Sequence, residues 1–159
     1  MPIATPEQIE RYEAAPSQII ATLDGLDETQ LHYRPAEGEW SIHEIVIHLA
    51  DSEAVGYWRI RKVLAEPDPL LAVYDEAAWA QKLSYRTQSR ELAIALFTSL
   101  RASTAALLRS LPAEDWERTG VHPEHCQMTI NDLLNLYIKH GEVHLQQIAH
   151  IKQAFSTIV

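Results

Sequence analysis

The chain has one cysteine, Cys126, among its 159 residues. A lone thiol excludes an internal disulfide and agrees with a reducing compartment. Glycine is scarce, with five in all, and no Gly-x-x-x-x-Gly-Lys loop is there to cradle phosphates. Basic runs are missing too: 13 Lys and Arg stand against 22 Asp and Glu, a formal charge of −9. That balance argues against nucleic acid as a partner, because a phosphate backbone calls for a basic surface. No apolar run approaches the roughly 20 residues needed to span a bilayer, which argues against a membrane. The opening Met1-Pro2-Ile3-Ala4-Thr5-Pro6 lacks the basic and apolar segments of a signal peptide. The expectation is a cytoplasmic protein. Repeats, low-complexity tracts and long linkers are absent as well, and the length fits one domain over residues 1–159 with a sizeable core.

Amphipathic helices fill that length. Thr5-Pro6-Glu7-Gln8 reads as a capped helix start, with Pro6 at the first helical position. Ile9, Tyr12, Ile19, Ile20 and Leu23 form its apolar stripe, and Pro16 should kink it. Asp24 to Trp40 is a connection. Ser41 caps a second helix running to about Ala65, with Glu44 closing a capping box and Trp40 placed as a hydrophobic staple. Residues 66–87 form a long excursion with a short helix over Tyr74 to Lys82, either a pocket wall or lid, or packing over a bundle end. A third helix spans Gln88 to Leu111, with Leu92, Leu96, Leu100, Ser103, Leu107 and Leu111 as its stripe. After a connection anchored by Trp116, a fourth runs from Thr129 to about Phe155. No stretch reads as a strand. Four long amphipathic helices imply an all-α four-helix bundle.

Three histidines stand out. His48 lies on the apolar stripe of the second helix with Ile42, Ile45, Leu49 and Ser52. His140 and His144 lie four residues apart on the fourth, within the stripe Ile130, Leu133, Leu134, Tyr137, His140, His144, Ile148, Ile151. Histidines so spaced share a helix face, about 5–6 Å apart at Cβ, within reach of one cation. Buried imidazoles need partners for their nitrogens. Either hydrogen bonds supply them, or a divalent ion does. Bundles build metal sites in this way, from side chains on facing helices.

The pattern Trp40-Ser41-Ile42-x-Glu44-Ile45-x-x-His48-Leu49-x-Asp51-x-Glu53, with the later His140-x-x-x-His144, resembles the DinB/YfiT-like proteins, which are metal-binding four-helix bundles. The resemblance covers essentially the whole chain in helix order and spacing. It implies crossed connections between the helices, one divalent ion on His48, His140 and His144, and a homodimer. Nickel or zinc is the usual ion in that family. Some of its members are thiol S-transferases or isomerases that use a low-molecular-weight thiol such as mycothiol or bacillithiol. Others are called metal-dependent hydrolases on site geometry alone.

Three histidine ligands would leave a fourth position for water or substrate, and all-nitrogen ligation suits zinc, nickel and iron alike. The ion would acidify a bound water or thiol, so no Ser or Cys nucleophile is required. Asp51, one turn beyond His48, stands either as a carboxylate that orients an imidazole or as a solvated side chain. Glu44 and Glu142 read as surface carboxylates. Tyr137 either lines the pocket and donates a proton or packs in the core. Gly141 allows close approach of a substrate or a helix. His122-Pro123-Glu124-His125-Cys126 has zinc-ligand residue types but no matching second pair, so it reads as a solvent-facing loop. His32, His43 and His150 read as surface residues. The functional expectation is a metal-dependent enzyme acting on a small molecule by thiol S-transfer or hydrolysis. The alternatives are a non-catalytic dimeric bundle with a structural or opportunistic ion, and a metal-free helical interaction protein.

Overall fold

A computed structural model describes residues 4–158; the first three residues of the N-terminal stretch read for a leader, and Val159, lie outside it. Four long helices form the body: α1 (Pro6–Leu23), α3 (Ile42–Ala65), α5 (Arg90–Arg109) and α6 (Ile130–Ser156). Two short helices, α2 (Glu28–His32) and α4 (Glu76–Lys82), lie in the connections. Capping boxes are formed by Thr5 with Gln8 and Ser41 with Glu44, at the helix starts expected from sequence, and by Thr129 with Asp132. A fourth box, Asp27 with Gln30, starts α2. Each cap satisfies backbone donors that a helix start otherwise leaves unpaired. Pro16 sits inside α1, which continues past it as one helix.

The packing pairs explain the topology. α1 packs on α5 and α6, and α3 packs on the same two helices. Helices consecutive along the chain, α1 with α3 and α5 with α6, therefore stand on the diagonals. In an up-down-up-down bundle consecutive helices are neighbours. Here the connections cross, as expected.

Three expectations are corrected. First, a small antiparallel hairpin is present, β1 (Thr119–His122) paired with β2 (Cys126–Thr129). The excursion after α3 docks on it: the Leu71 amide donates to the Val121 carbonyl at 2.8 Å, and the Val121 amide to the Pro69 carbonyl at 2.9 Å. Second, the leucine stripe of α5 is not its core face. Ala93, Phe97, Arg101, Thr104, Ala105 and Leu108 are buried, whereas Leu92 is 73% exposed and Leu96 45%. Arg101 decides the rotation. It is fully buried and pairs with Glu53 of α3 at 2.7 Å, and that contact turns the leucines outward. Ile20 of α1 is likewise exposed. Third, His43 and Glu44 are buried. His43 Nε2 donates to the Tyr85 carbonyl at 3.0 Å, and its Nδ1 accepts from Arg90 at 2.9 Å. Glu44 closes the α3 cap and pairs with Arg34.

The His43 environment has a pH consequence. Burial, helped by the nearby His32 and Arg90, lowers its pKa from the ordinary 6.5. Below that pH the unfolded chain takes up a proton that the folded one resists, so this contribution to stability is full above pH 6.5 and falls as the pH drops. Thermal melts between pH 7.5 and 5 should show a smaller loss in His43→Gln than in the native protein.

Candidate metal centre

The site sits where α3 and α6 face each other. The cap at Ser41 fixes the start of α3, and His48, on the inward stripe, is fully buried. The cap at Thr129 does the same for α6, which carries His140 and His144 four residues apart on its inner face. His48 Nε2 lies 3.1 Å from His140 Nε2, and His144 Nε2 also lies 3.1 Å from it. The ligand atoms of all three lie within 4.8 Å of one another.

That geometry fits a cation better than hydrogen bonding among the rings. One proton on His140 Nε2 can serve only one of its two neighbours, so the three nitrogens cannot all be paired by hydrogen bonds among themselves. Burial lowers the pKa of His48 to about 2 and of His140 to about 3, and lowers that of His144, so all three are neutral at physiological pH. Neutral imidazole is the form that ligates metals. Zinc–nitrogen bonds of about 2.0–2.1 Å place tetrahedral ligands little more than 3 Å apart, close to the observed spacing.

The surroundings orient the rings. His144 Nδ1 donates to Gln147 Oε1 at 2.9 Å, which leaves the lone pair on Nε2 turned toward the other histidines. Gln147 escaped the sequence reading. Its signal is the three-residue step along the same helix. Trp40 packs its ring 4.6 Å from that of His48, so the residue before the cap covers the site. His48 Nδ1 is buried without a partner. The Asp51 carboxylate accepts from the Tyr85 hydroxyl at 2.7 Å, so this acid is engaged with Tyr85. Glu142 is exposed and pairs with Arg11.

Tyr137 is buried, and its hydroxyl accepts from Arg59 at 3.2 Å. Its ring lies on Gly56 of α3, where an added Cβ would come within 2.5 Å of the ring. Gly56→Ala should therefore displace Tyr137, at a cost of about 1–3 kcal/mol for overpacking. A lowered urea midpoint with a changed near-UV spectrum would show it. Gly141 admits another helix: an added Cβ there would meet Ala15 of α1 at 3.3 Å. A cavity of about 170 Å³ opens on His140 and Tyr137, walled by Ser52, Arg59, Tyr74 and His122. Val73, Tyr74 and Glu76 bring the excursion to this wall. His122, Glu124 and His125 are gathered at the hairpin turn with ligand atoms within 4.8 Å of one another, although only His122 is buried. His32 and His150 are exposed as expected.

Fold and site together define a helical bundle with a three-histidine site of metal-enzyme type. Residues 11–148 match the DinB superfamily, and the chain belongs to it. A "putative metal-dependent hydrolase" of Halalkalibacterium halodurans is 33% identical over 146 residues, 92% of this chain and 83% of its own. YfiT of Bacillus subtilis, which carries the same description, is 29% identical over 91% of this chain and 82% of its own. The solved structure of YfiT, an unusual four-helix bundle topology, superposes with a TM-score of 0.88, covering 94% of this chain and 86% of that one at 28% identity. A mycothiol-dependent maleylpyruvate isomerase shares the fold, with a TM-score of 0.72 over 93% of this chain and 61% of that one at 13% identity.

Proposed function

We propose that the protein is a metal-dependent enzyme acting on a small molecule, by hydrolysis or by transfer of a low-molecular-weight thiol. The observation that carries this reading is the convergence of three neutral Nε2 atoms beside a cavity that His140 itself lines. His48, His140 and His144 would hold one divalent ion, zinc, nickel or iron, which when bound would acidify a water or thiol to supply the nucleophile. The chain's own residues do the rest. Gln147 holds the His144 ring in its ligating tautomer. Trp40 shields His48 from solvent. Tyr137, its pKa raised by burial, stays protonated and presents its ring and hydroxyl at the cavity wall. Asp51 acts through Tyr85, whose hydroxyl it holds.

The thiol reading draws support from the isomerase that shares the fold, and the hydrolysis reading from the relatives' names. We place the protein in the cytoplasm, as its single cysteine suggests, and assign it a homodimer through the exposed leucines of α5, an apolar face of the kind that marks association sites. Sedimentation of the native chain against Leu92→Glu checks the dimer. The function is tested by plasma mass spectrometry on untagged protein, followed by a screen of thiols and small electrophiles. About one ion per chain, with turnover that depends on it, is the expected result. One ion without turnover would favour the structural-ion alternative.

A further inference from the structure

Among the described residues two arginines are buried, and only one is in an ion pair. Arg101 is paired with Glu53. Arg59, 6% exposed, donates from Nη1 to the Tyr137 hydroxyl at 3.2 Å and from Nη2 to the Ala72 carbonyl at 2.6 Å. Its Nε has no partner, and no carboxylate among the described residues forms an ion pair with it. A buried cation held only by neutral acceptors is costly, and the cost falls when an anion arrives beside it.

Arg59 lines the cavity that His140 also lines. Tyr137 connects the two, bonded to Arg59 through its hydroxyl and with its ring 6.4 Å from that of His140. At about 170 Å³, the space suits a molecule of a few heavy atoms. His122 adds a donor to the same wall. Its Nδ1 accepts the Glu124 amide at 3.2 Å, so in the neutral ring Nε2 carries the proton. Burial and the Arg59 charge lower the His122 pKa and keep that ring neutral. The acids on the cavity wall, Glu76 and Glu124, are exposed; Glu76 feels the Arg59 charge, but neither acid forms an ion pair with it.

We propose that this cavity takes a small carboxylic acid that carries a second donor group, a thiol or hydroxyl. The carboxylate seats against Arg59, with His122 donating beside it, while the second group reaches the three histidines. This rests on the reading that those histidines hold an ion, and it names the substrate class of that site.

The test titrates zinc-loaded protein calorimetrically with mercaptoacetate and, separately, with 2-mercaptoethanol, the same two-carbon thiol without the carboxylate. The native protein should bind mercaptoacetate about tenfold or more tightly, the discrimination expected of hydrogen bonds to a charged group. Arg59→Met, with its zinc content unchanged, should bind both thiols alike, and Arg59→Lys should keep part of the preference. Equal affinities in the native protein overturn the proposal. So does a preference that survives in Arg59→Met, because the carboxylate is then held by the ion. If Arg59→Met does not fold, the native comparison and Arg59→Lys decide. A protein that takes up no zinc overturns the metal reading and this inference together; zinc uptake without carboxylate preference overturns this inference alone.

Discussion

Glu53→Ala should destabilise the bundle by about 3–5 kcal/mol, the range for removing one partner of a buried ion pair. Arg101 and Glu53 are 0% and 1% exposed at their side chains, and Arg101 Nε lies 2.7 Å from Glu53 Oε2. The guanidinium also donates to the Tyr12 carbonyl at 2.6 Å and to the Tyr137 carbonyl at 2.8 Å, so it ties α5 to α1, α3 and α6 at once. The Tyr12 hydroxyl donates to the same carboxylate, and burial beside Glu53 pushes the Tyr12 pKa upward. Without Glu53, Arg101 is left charged with only carbonyls for company, and Tyr12 loses its acceptor. In a chain of this length the loss corresponds to a fall in Tm of roughly 10 °C. Urea denaturation measures it directly. The double variant Glu53→Leu with Arg101→Met should recover part of the loss, because no unpaired charge is then buried, while the Tyr12 hydroxyl and carbonyl stay without these partners. A loss under about 1 kcal/mol in Glu53→Ala would show that water reaches Arg101 and that the pair does not fix the rotation of α5.

That rotation marks the limit of what the sequence discloses. The four helices, their capping boxes and the inward stripe of α6 follow from local rules, because a cap and its box lie within four residues. The convergence of His48, His140 and His144 was legible for the same reason: each sits on a stripe whose other members are mostly apolar. On α5 two stripes run side by side, one position apart and so about 100° around the helix. Leucines are more apolar than Ala93, Thr104 and Ala105, so periodicity favours them. A buried arginine is what burial statistics advise against. The pairing of Arg101 with Glu53 is a contact between distant parts of the chain, and no window of sequence contains it. His43 misled in the same way, since its partners are a carbonyl at Tyr85 and the Arg90 side chain. The hairpin escaped because its strands have four residues each and take their place from the packed excursion at Pro69 and Leu71.

His48→Ala should separate the metal from the fold. The native protein is expected to carry about one ion per chain, and the variant almost none, since two histidines one turn apart on α6 cannot reproduce a site closed from α3. In the apo state the substitution removes an imidazole whose Nδ1 is buried without a partner and whose Nε2 faces another nitrogen at 3.1 Å. Relief of those unfavourable contacts offsets the cavity left behind, so apo stability should change little. With zinc present the two proteins diverge. Free metal at 100 times its dissociation constant stabilises the native fold by about 2.7 kcal/mol and the variant by almost nothing. Melts with and without zinc, read beside metal content, measure both effects. His144→Ala should behave alike in metal content, while Gln147→Leu should keep the ion and bind it roughly tenfold more weakly, as loss of a partner that orients a ligand imidazole does. An apo His48→Ala protein that fails to fold would instead make His48 a structural core residue. Undiminished zinc in that variant would remove the three-histidine site and the enzyme reading with it.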